Sequence, residues 1–303
     1  MKNKFYLAGS AGMLGSDIYE TFIDKYDCFV SDIEDSEPHV NFLDFRDFDQ
    51  YYKSVKNYSP TFLCHIGAHT DLEFCENNVT DAYNTNTKSV ENAVEISNFL
   101  DIPLLYISTA GIFNGSYEYF TDFDIPNPAG VYARSKFYGE NIIKQYSKNY
   151  LICRAGWMMG GGIRKDKKFI GKLLRQIIEG NRSWNIVNDK FGTPTYTIDF
   201  AKNLLSLIEK KQRGLFNLVC VGNTSRLEVA NFVSSYLLEN YKLKVTINEV
   251  SSDFFKNEYF SHRPENESLV NLRLNYKNLN FMRPWTTSLT EYLNKCHLQD
   301  YLK

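Results

Sequence analysis

Hydrophobic positions in the first two thirds of the chain follow two alternating patterns. Short continuous apolar runs, typical of strands buried on both faces, are separated by segments whose apolar residues recur every three or four positions, typical of amphipathic helices. The predicted strands cover residues 5–8, 28–31, 61–66, 104–108 and 151–155. Because each strand and its helix together take about 30 residues, the order predicts an α/β fold with a Rossmann-like, doubly wound parallel sheet.

The helices between these strands are predicted from the same pattern. They cover residues 14–22, 48–56, 82–99 and 132–147. In the third of them, Val90, Ala93, Val94 and Phe99 are expected to form the buried apolar stripe. The polar segment 32–44 is predicted to be a loop.

The last third of the chain has a different hydrophobic pattern, with shorter and more polar segments. Helices are predicted at 169–179, 198–210, 225–239 and 287–295, and strands at 184–187, 216–219 and 245–250. We expect residues 1–158 to form the sheet domain, to which 190–220 return, and residues 159–189 and 221–303 to form a smaller, partly interleaved lobe. Because ligands of such sheets bind outside the carboxyl ends of the strands, this C-terminal lobe is expected to cover the binding site.

Composition excludes several classes of protein. The chain has 34 Lys and Arg against 36 Asp and Glu, mixed along its length, which argues against a nucleic-acid or anionic-membrane surface. No apolar run approaches the ~20 residues of a membrane helix, and the first strand begins too early to leave room for a signal peptide. The six cysteines form no C-x-x-C pair, which favours reduced thiols in the cytoplasm and predicts no bound metal.

Three glycines, Gly9, Gly12 and Gly15, lie between the first strand and the first helix. A strand that enters a helix through such a turn points backbone N–H groups and the positive helix end at one spot, where a pyrophosphate can be held. Their G-x-x-G-x-x-G spacing differs from the commoner G-x-G-x-x-G dinucleotide fingerprint. Taken alone, the three glycines are equally compatible with a simple turn.

Asp32 ends the second strand, 17 residues after Gly15. A carboxylate at this place can accept hydrogen bonds from the ribose hydroxyls of a dinucleotide and repel a 2′-phosphate, which favours NAD over NADP. The next residues, Ile33, Glu34 and Asp35, offer no cation for such a phosphate. The alternative is that Asp32 opens a solvated acidic loop.

Tyr132 and Lys136 are spaced so that a helix places them on one face. A tyrosine has an unperturbed pKa near 10, and a cation beside it stabilises the phenolate and brings the phenol toward acid–base work at neutral pH. The preceding strand ends at Ser108 and Thr109, whose hydroxyls could bind a substrate oxygen together with Tyr132. A Y-x-x-x-K pair is common by chance, so its weight comes from following the glycine-rich turn and this strand.

Because these features follow one another in this order, the chain resembles the extended short-chain dehydrogenase/reductase superfamily over nearly its whole length. Within that superfamily it resembles the dTDP-4-dehydrorhamnose reductase branch. The motifs that carry the resemblance are Gly67-Ala-His-Thr70, Ser108-Thr-Ala-Gly-Ile-Phe113, Val131-Tyr-Ala-Arg-Ser-Lys136, Arg154-Ala-Gly-Trp157 and Asn188-Asp-Lys-Phe-Gly-Thr-Pro-Thr195. The resemblance implies a cytoplasmic NAD(P)H-dependent reductase of a nucleotide-linked 4-keto-6-deoxy sugar, in which Tyr132 donates the proton. It also implies a homodimer.

Carried over position by position, the resemblance assigns roles to individual residues. The catalytic residues would be Thr109, Tyr132 and Lys136. The cofactor would be contacted by Gly9, Gly12, Met13, Leu14, Asp32, Asp44, Gly67, Ala68 and Thr70, together with Tyr132 and Lys136. The substrate would be contacted by Ser108, Trp157, Phe191, Pro194, Thr195 and Arg263.

The chain departs from the pattern of this branch at two places. Ala110 and Gly111 stand where the usual Ser-Thr-Asp-Tyr-Val-Phe segment has Asp and Tyr, and Lys168 precedes Phe169 where Asn is usual. Without a carboxylate pair directly after Thr109, a 4,6-dehydratase is disfavoured. Two alternatives to a reductase stay open: a sugar-nucleotide epimerase of the same superfamily, and a non-catalytic nucleotide-binding subunit similar to the regulatory subunit of methionine adenosyltransferase.

Overall fold

A computed structural model describes residues 2–34 and 37–302 of the chain. In chain order its strands are β1 (Asn3–Ala8), β2 (Tyr26–Asp32), β3 (Asn41–Phe42), β4 (Phe62–His65), β5 (Leu104–Thr109), β6 (Tyr150–Ala155), β7 (Trp157–Met159), β8 (Ser183–Val187), β9 (Phe191–Gly192), β10 (Pro194–Tyr196), β11 (Gly214–Asn217), β12 (Thr224–Ser225), β13 (Thr246–Val250) and β14 (Asn266–Glu267).

The α-helices alternate with the first strands and become more frequent later in the chain. They are α1 (Met13–Phe22), α2 (Phe48–Tyr58), α3 (Leu72–Asn77), α4 (Val79–Tyr83), α5 (Ser89–Phe99), α6 (Val131–Tyr146), α7 (Gly162–Lys165), α8 (Phe169–Ile178), α9 (Thr197–Glu209), α10 (Arg226–Tyr241), α11 (Leu272–Tyr276) and α12 (Trp285–Lys295). A π-helical turn at Asn84–Lys88 joins α4 to α5, and short 3₁₀ turns lie at Ala110–Ile112, Ser252–Phe255 and Leu298–Asp300.

The central layer is a sheet of seven parallel strands in the order β11-β6-β5-β4-β1-β2-β3. β1 lies between β2 and β4, so the chain runs outward from β1 in both directions across the sheet. In such sheets the ligand crevice opens at this reversal, outside the carboxyl ends of the strands. The predicted Rossmann-like α/β fold is confirmed.

Apolar residues of the central strands are buried on both faces of the sheet. In β1, Phe5 and Leu7 join one core with Ile18 of α1, whereas Tyr6 and Ala8 join a second core on the opposite face. β5 divides its side chains between the same two cores. The continuous apolar runs of the sequence therefore follow from helices that cover both faces.

Two late elements, α9 and β11, pack with the large sheet. β11 pairs in parallel with β6, and α9 packs against α1. The strands that remain form three small sheets outside it, β7 with β10, β8 with β13, and β12-β9-β14. Residues from the later part of the chain thus pair with β7, β8 and β9 in the small sheets.

Two details of the sequence-based expectations are wrong, and one helix was not expected. Phe99 is not part of the buried stripe of α5 but 72% exposed, because nine residues after Val90 a helix has turned by about 180°. The segment predicted as a loop up to residue 44 contains the short strand β3, paired with β2. The unexpected helix is α3, which Asp71 caps by accepting a hydrogen bond from the Phe74 backbone at 2.8 Å.

Candidate active site

The glycine-rich turn between β1 and α1 is crowded on one side and open on the other. Gly9 has a φ of +95°, and a Cβ at this position would overlap the backbone of Gly67. Gly12 is the N-cap of α1, and no side chain caps the helix there. A Cβ at Gly12 would point into open space, since apart from its chain neighbours no atom of the described residues lies within 4 Å. The N-terminus of α1 is thus free to receive an anionic group. Met13 and Leu14 follow in its first turn, both half-buried.

Asp32 closes the turn from the second strand. Its Oδ2 accepts a hydrogen bond from the backbone nitrogen of Ala11 at 2.9 Å, and its Oδ1 accepts one from the backbone nitrogen of Glu34 at 3.1 Å. These bonds fix the carboxylate beside the glycine-rich turn while leaving it half-buried. Each oxygen has two lone pairs, so each can accept a further bond from a ligand hydroxyl.

Asp44, expected near the adenine, is held by a neighbouring arginine. Arg46 donates to Asp44 Oδ1 from Nε at 2.9 Å and to Oδ2 from Nη2 at 2.7 Å, and these bonds lower the pKa of the Asp44 carboxyl. Arg46 also pairs with Asp81 at 2.9 Å, which in turn accepts a hydrogen bond from His69. Asp44 therefore belongs to a small charged network beside the cofactor side of the sheet.

The loop after β4 connects this side of the site to the C-terminal lobe. Gly67 and Ala68 are half-buried, with Gly67 against Gly9. Thr70 is exposed, and its carbonyl and hydroxyl oxygens accept hydrogen bonds from Lys168 Nζ at 3.0 and 2.9 Å. Burial lowers the pKa of Lys168.

Thr109 and Tyr132 meet at the carboxyl end of β5, and Lys136 lies one helical turn after Tyr132. Thr109 ends that strand, and Tyr132 and Lys136 lie one turn apart at the start of α6, which packs on β5. The start of α6 is fixed from α3, because the Val131 backbone donates to Glu76 Oε1 at 2.8 Å. The Thr109 hydroxyl faces the Tyr132 phenol closely enough to lower its pKa in part. The structure thus brings Thr109 and Tyr132 together and places Lys136 one turn further along α6.

The electrostatics of this trio differ from the expectation that Lys136 lowers the pKa of Tyr132. Burial raises the pKa of Tyr132 to about 12, and it lowers the pKa of Lys136 to about 7 against the opposing charge of Glu140. The Lys136 ammonium lies 4.0 Å from the centroid of the Tyr106 ring. Since burial disfavours the charged form of both groups, the phenol stays protonated at neutral pH and the amine titrates there.

A buried ion pair supports the helix that carries Tyr132 and Lys136. Glu140, one turn beyond Lys136, accepts hydrogen bonds from Arg154 Nε at Oε1 and from Nη2 at Oε2, both at 2.8 Å. Burial alone would raise the pKa of Glu140, but the arginine bonds bring it to about 2. A permanent negative charge is therefore held below Lys136.

On the lobe side, Trp157 is joined to two charged residues. Its Nε1 donates to Glu267 Oε2 at 2.7 Å, and the Arg226 guanidinium lies 3.7 Å from the centroid of a Trp157 ring. Burial lowers the pKa of Arg226 to about 10. The indole is half-buried, so part of it stays accessible to a ligand.

The other expected substrate residues are divided between surface and interior. Phe191 is 45% exposed at the site, whereas Pro194 and Thr195 are buried in β10. The Thr195 hydroxyl accepts a hydrogen bond from the Gly156 backbone at 3.1 Å. Ser108 is buried, and its Oγ has no hydrogen-bond partner among the residues described.

Arg263, expected to bind the substrate diphosphate, is paired with a carboxylate. It donates to the two oxygens of Glu73 at 2.7 and 2.8 Å, and Lys190 Nζ donates to its backbone oxygen at 3.1 Å. The pair joins the lobe to α3 at the mouth of the site, near Lys168. An anion that reaches Arg263 has to compete with Glu73.

Sequence reasoning missed Glu140, Arg154, Arg226 and Glu267. Glu140 could have been found, because it lies one helical turn after Lys136. Glu267 and Arg226 carry no such signal, since they reach the site only through the pairing of β9 with β14 and β12.

Within the described residues, no cluster of three or more His, Cys, Asp or Glu has a geometry that could bind a metal. Among the described residues, no helix has both the length and the apolar character needed to span a membrane.

Known proteins resemble this chain in sequence and in fold. It is 25% identical over 248 residues to the dTDP-4-dehydrorhamnose reductase of Aggregatibacter actinomycetemcomitans, which covers 80% of this chain and 78% of that protein. The structure of a dTDP-4-dehydrorhamnose reductase from Clostridium acetobutylicum matches with a TM-score of 0.86 and 27% identity over 96% of this chain and 98% of that one. The same enzyme from Bacillus anthracis, solved in complex with NADP, matches with a TM-score of 0.87 and 25% identity over 97% and 100%.

These relatives confirm the expected enzyme class, the NAD(P)-dependent oxidoreductases. The family model described as the RmlD substrate binding domain matches residues 3–298. The chain therefore belongs to the RmlD substrate-binding domain family, as its resemblance to the extended short-chain dehydrogenases/reductases and their dTDP-4-dehydrorhamnose reductase branch predicted.

Proposed function

We propose that the chain is an NAD(P)H-dependent reductase of a nucleotide-activated 4-keto-6-deoxy sugar. The observation that carries the proposal is the meeting of Thr109 and Tyr132 at the carboxyl end of β5, with Lys136 one turn further along α6. Relatives in this family are named dTDP-4-dehydrorhamnose reductases, which supports such a substrate.

The residues of the glycine-rich turn fit a dinucleotide. Gly12 leaves open space at the free N-terminus of α1, and Gly9 and Gly67 bring two loops close together without side chains between them. Asp32 would receive the hydroxyls of the adenosine ribose. When bound, the dinucleotide supplies the hydride that reduces the keto carbon of the sugar.

The catalytic residues would act on the oxygen of the sugar carbonyl. Tyr132, whose pKa of about 12 leaves it protonated at neutral pH, would donate its proton to the oxygen as negative charge develops there. Thr109 holds the same oxygen by a hydrogen bond. Lys136, with a pKa near 7, would assist the phenol when charged.

We propose NADH rather than NADPH as the preferred reductant. Asp32 would be next to a 2′-phosphate, and repulsion between the two anions opposes binding. Lys165, a cation of α7, is already paired with Glu37 at 2.9 Å. A homologue from Bacillus anthracis was solved with NADP, so this preference is a property we assign to Asp32 in this chain.

The arrangement of the lobes supports a substrate site between them. We propose that residues 159–189 and 221–303 bind the nucleotide sugar over the sheet domain formed by residues 1–158 and 190–220. Trp157, Phe191 and Arg263 lie on this side. A cytoplasmic homodimer stays a prediction.

The proposal is tested by cofactor oxidation. Purified protein is mixed with NADH or NADPH and dTDP-4-keto-6-deoxyglucose, and the loss of absorbance of the reduced cofactor is followed. We expect turnover that Tyr132→Phe reduces by about 100-fold or more, the usual contribution of a general acid. Tyr138→Phe, on the exposed side of the same helix, is the matched control and should retain activity.

Two outcomes would overturn it. Absence of turnover across dTDP-, UDP- and GDP-linked keto sugars, with intact cofactor binding, would favour the non-catalytic subunit. Conversion of the sugar without net cofactor oxidation would favour the epimerase. For the cofactor, Asp32→Ala should raise kcat/KM for NADPH relative to NADH, and a wild-type preference for NADPH would contradict our assignment.

A further inference from the structure

Residues 110–113, directly after Thr109, have no polar side chains, yet a carboxylate lies beside Gly111. A Cβ placed on Gly111 would lie 3.1 Å from Glu267 Oε1 and 3.5 Å from Thr109 Oγ1. The carboxylate oxygen and the catalytic hydroxyl therefore face the same small volume. Glu267 comes from β14, more than 150 residues later in the chain, and enters the volume that the absent side chain at Gly111 leaves.

Glu267 is held in place rather than free on the surface. β14 pairs with β9, which sets Glu267 opposite Gly192. A Cβ on Gly192 would overlap the Trp157 indole, so the indole packs directly on this backbone. From that position Trp157 Nε1 donates to Glu267 Oε2 at 2.7 Å.

The other oxygen of the carboxylate is left for a ligand. Glu267 Oε1 accepts no hydrogen bond from the described part of the chain. The guanidinium of Arg226 instead stacks on two aromatic rings, 3.7 Å from the centroid of a Trp157 ring and 4.6 Å from that of Phe169. Glu267 also adds to the negative potential at Tyr132. A half-buried acceptor thus points into the site next to the trio that would bind the carbonyl.

We propose that Glu267 Oε1 accepts a hydrogen bond from the sugar hydroxyl on the carbon next to the keto carbon and so determines which sugar is bound. The inference rests on the proposed function for its substrate class. In a 4-keto-6-deoxy sugar the keto carbon has two ring neighbours, one carrying the 3-hydroxyl and the other the methyl group. With the carbonyl oxygen at Thr109 and Tyr132, the neighbouring hydroxyl is the donor within reach of Glu267, whereas the methyl group cannot satisfy a carboxylate.

The experiment compares two ligands that differ in this hydroxyl. Affinities of wild type for dTDP-4-keto-6-deoxyglucose and its 3-deoxy analogue are measured by calorimetry with oxidised cofactor present, so that no reduction occurs. We expect the hydroxyl to improve the affinity of wild type roughly 10- to 100-fold, the size of a hydrogen bond to a charged group. Glu267→Ala should remove this preference, and Glu267→Gln should weaken it.

A neighbouring glutamate provides the matched control. Glu265 is exposed on the same segment, and Glu265→Ala should leave the preference for the hydroxyl unchanged. Affinity for NADH, measured in parallel, should be unchanged in both alanine variants. If Glu267→Ala does not fold, Glu267→Gln, which retains an oxygen for Trp157 Nε1, supplies the comparison.

The outcomes separate this inference from the reductase proposal. Equal losses of affinity for both ligands in Glu267→Ala, or no preference in wild type, would overturn the role of Glu267 and leave it as a support for Trp157. Turnover is measured separately with the reduced cofactor. If wild type distinguishes the two ligands but reduces neither, the reductase proposal fails and the assignment of Glu267 stands.

Discussion

Arg154 and Glu140 form a buried two-point ion pair, with Nε to Oε1 and Nη2 to Oε2 both at 2.8 Å. Arg154 belongs to β6 and Glu140 to α6, so the pair attaches the helix of Tyr132 and Lys136 to the sheet. Glu140 also accepts a hydrogen bond from Lys144 at 2.9 Å. Its charge lies on the same helix face as Lys136 and favours the charged form of that amine.

We expect Glu140→Gln to lower the free energy of unfolding by about 3 kcal/mol, because it leaves the Arg154 charge buried without a carboxylate. Urea denaturation at neutral pH measures the change. The control is Glu91→Gln, which breaks the exposed pair with Lys88 and should cost below about 1 kcal/mol. An effect no larger than that of the control would contradict a structural role for the buried pair.

Lys136 predicts a pH dependence of stability. Its pKa is about 7 in the folded chain, below its usual value near 10.4 in an unfolded chain. Between these values the unfolded chain binds more protons, so folding becomes more favourable as pH rises, by up to ~1.4 kcal/mol per pH unit. Below the folded pKa the full penalty of burying the charged amine is present.

Denaturation of wild type and Lys136→Met across this pH range tests the sign. The free energy of unfolding of wild type should rise relative to that of the variant as the pH increases from about 7 to about 10. Lys144→Met, at an exposed position on the same helix, is the comparison for loss of a lysine whose side chain is reached by solvent. A constant difference between wild type and Lys136→Met would refute the depressed pKa.

Alanine at Gly9 should reduce the stability of the fold, whereas alanine at Gly12 should reduce the affinity for NADH. Gly9→Ala forces a Cβ into the Gly67 backbone at a positive φ, so we expect a loss of stability of about 2–3 kcal/mol. Gly12→Ala meets open space in an extended N-cap conformation and should fold normally. Its methyl group would instead stand where a phosphate approaches α1, weakening NADH binding by roughly tenfold.

Thermal unfolding and fluorescence titration with NADH separate the two glycine variants. Unchanged NADH affinity in Gly12→Ala would place the pyrophosphate away from this turn. Unchanged stability in Gly9→Ala would show that β1 and β4 can separate at no cost, contrary to their close approach.

Glu73 and Arg263 predict opposite effects on nucleotide binding. Since Glu73 occupies the guanidinium, Glu73→Gln should free Arg263 and increase the affinity for dTDP a few-fold, whereas Arg263→Ala should reduce it about tenfold. Calorimetric titration with dTDP at two salt concentrations measures both. Arg134→Ala, an exposed arginine on α6, serves as the control. A loss of affinity in Glu73→Gln would mean that the ion pair shapes the site instead of competing with the diphosphate.

Local pattern was sufficient to predict the strands of the central sheet and to single out the proposed catalytic residues. Apolar runs such as residues 104–108 mark strands whose two faces are covered, and an i, i+4 spacing sets Tyr132 and Lys136 on one face, both being properties of a few neighbouring residues. Phe99 marks the limit of this reasoning, because its apolar character alone does not reveal that it lies opposite Val90 on the helix.

The sequence by itself determined the alternation of strands and helices, the glycine-rich turn and the Thr109, Tyr132 and Lys136 set, since short-range periodicity and spacing encode each of them. Only the tertiary structure decided that Glu267 lies beside Gly111, that Arg226 covers Trp157 and that Glu73 holds Arg263. It also reversed the expected shift in the pKa of Tyr132, because burial outweighs its neighbours. Contacts between distant segments and the exclusion of water arise when the lobe packs on the sheet, and no local spacing records them.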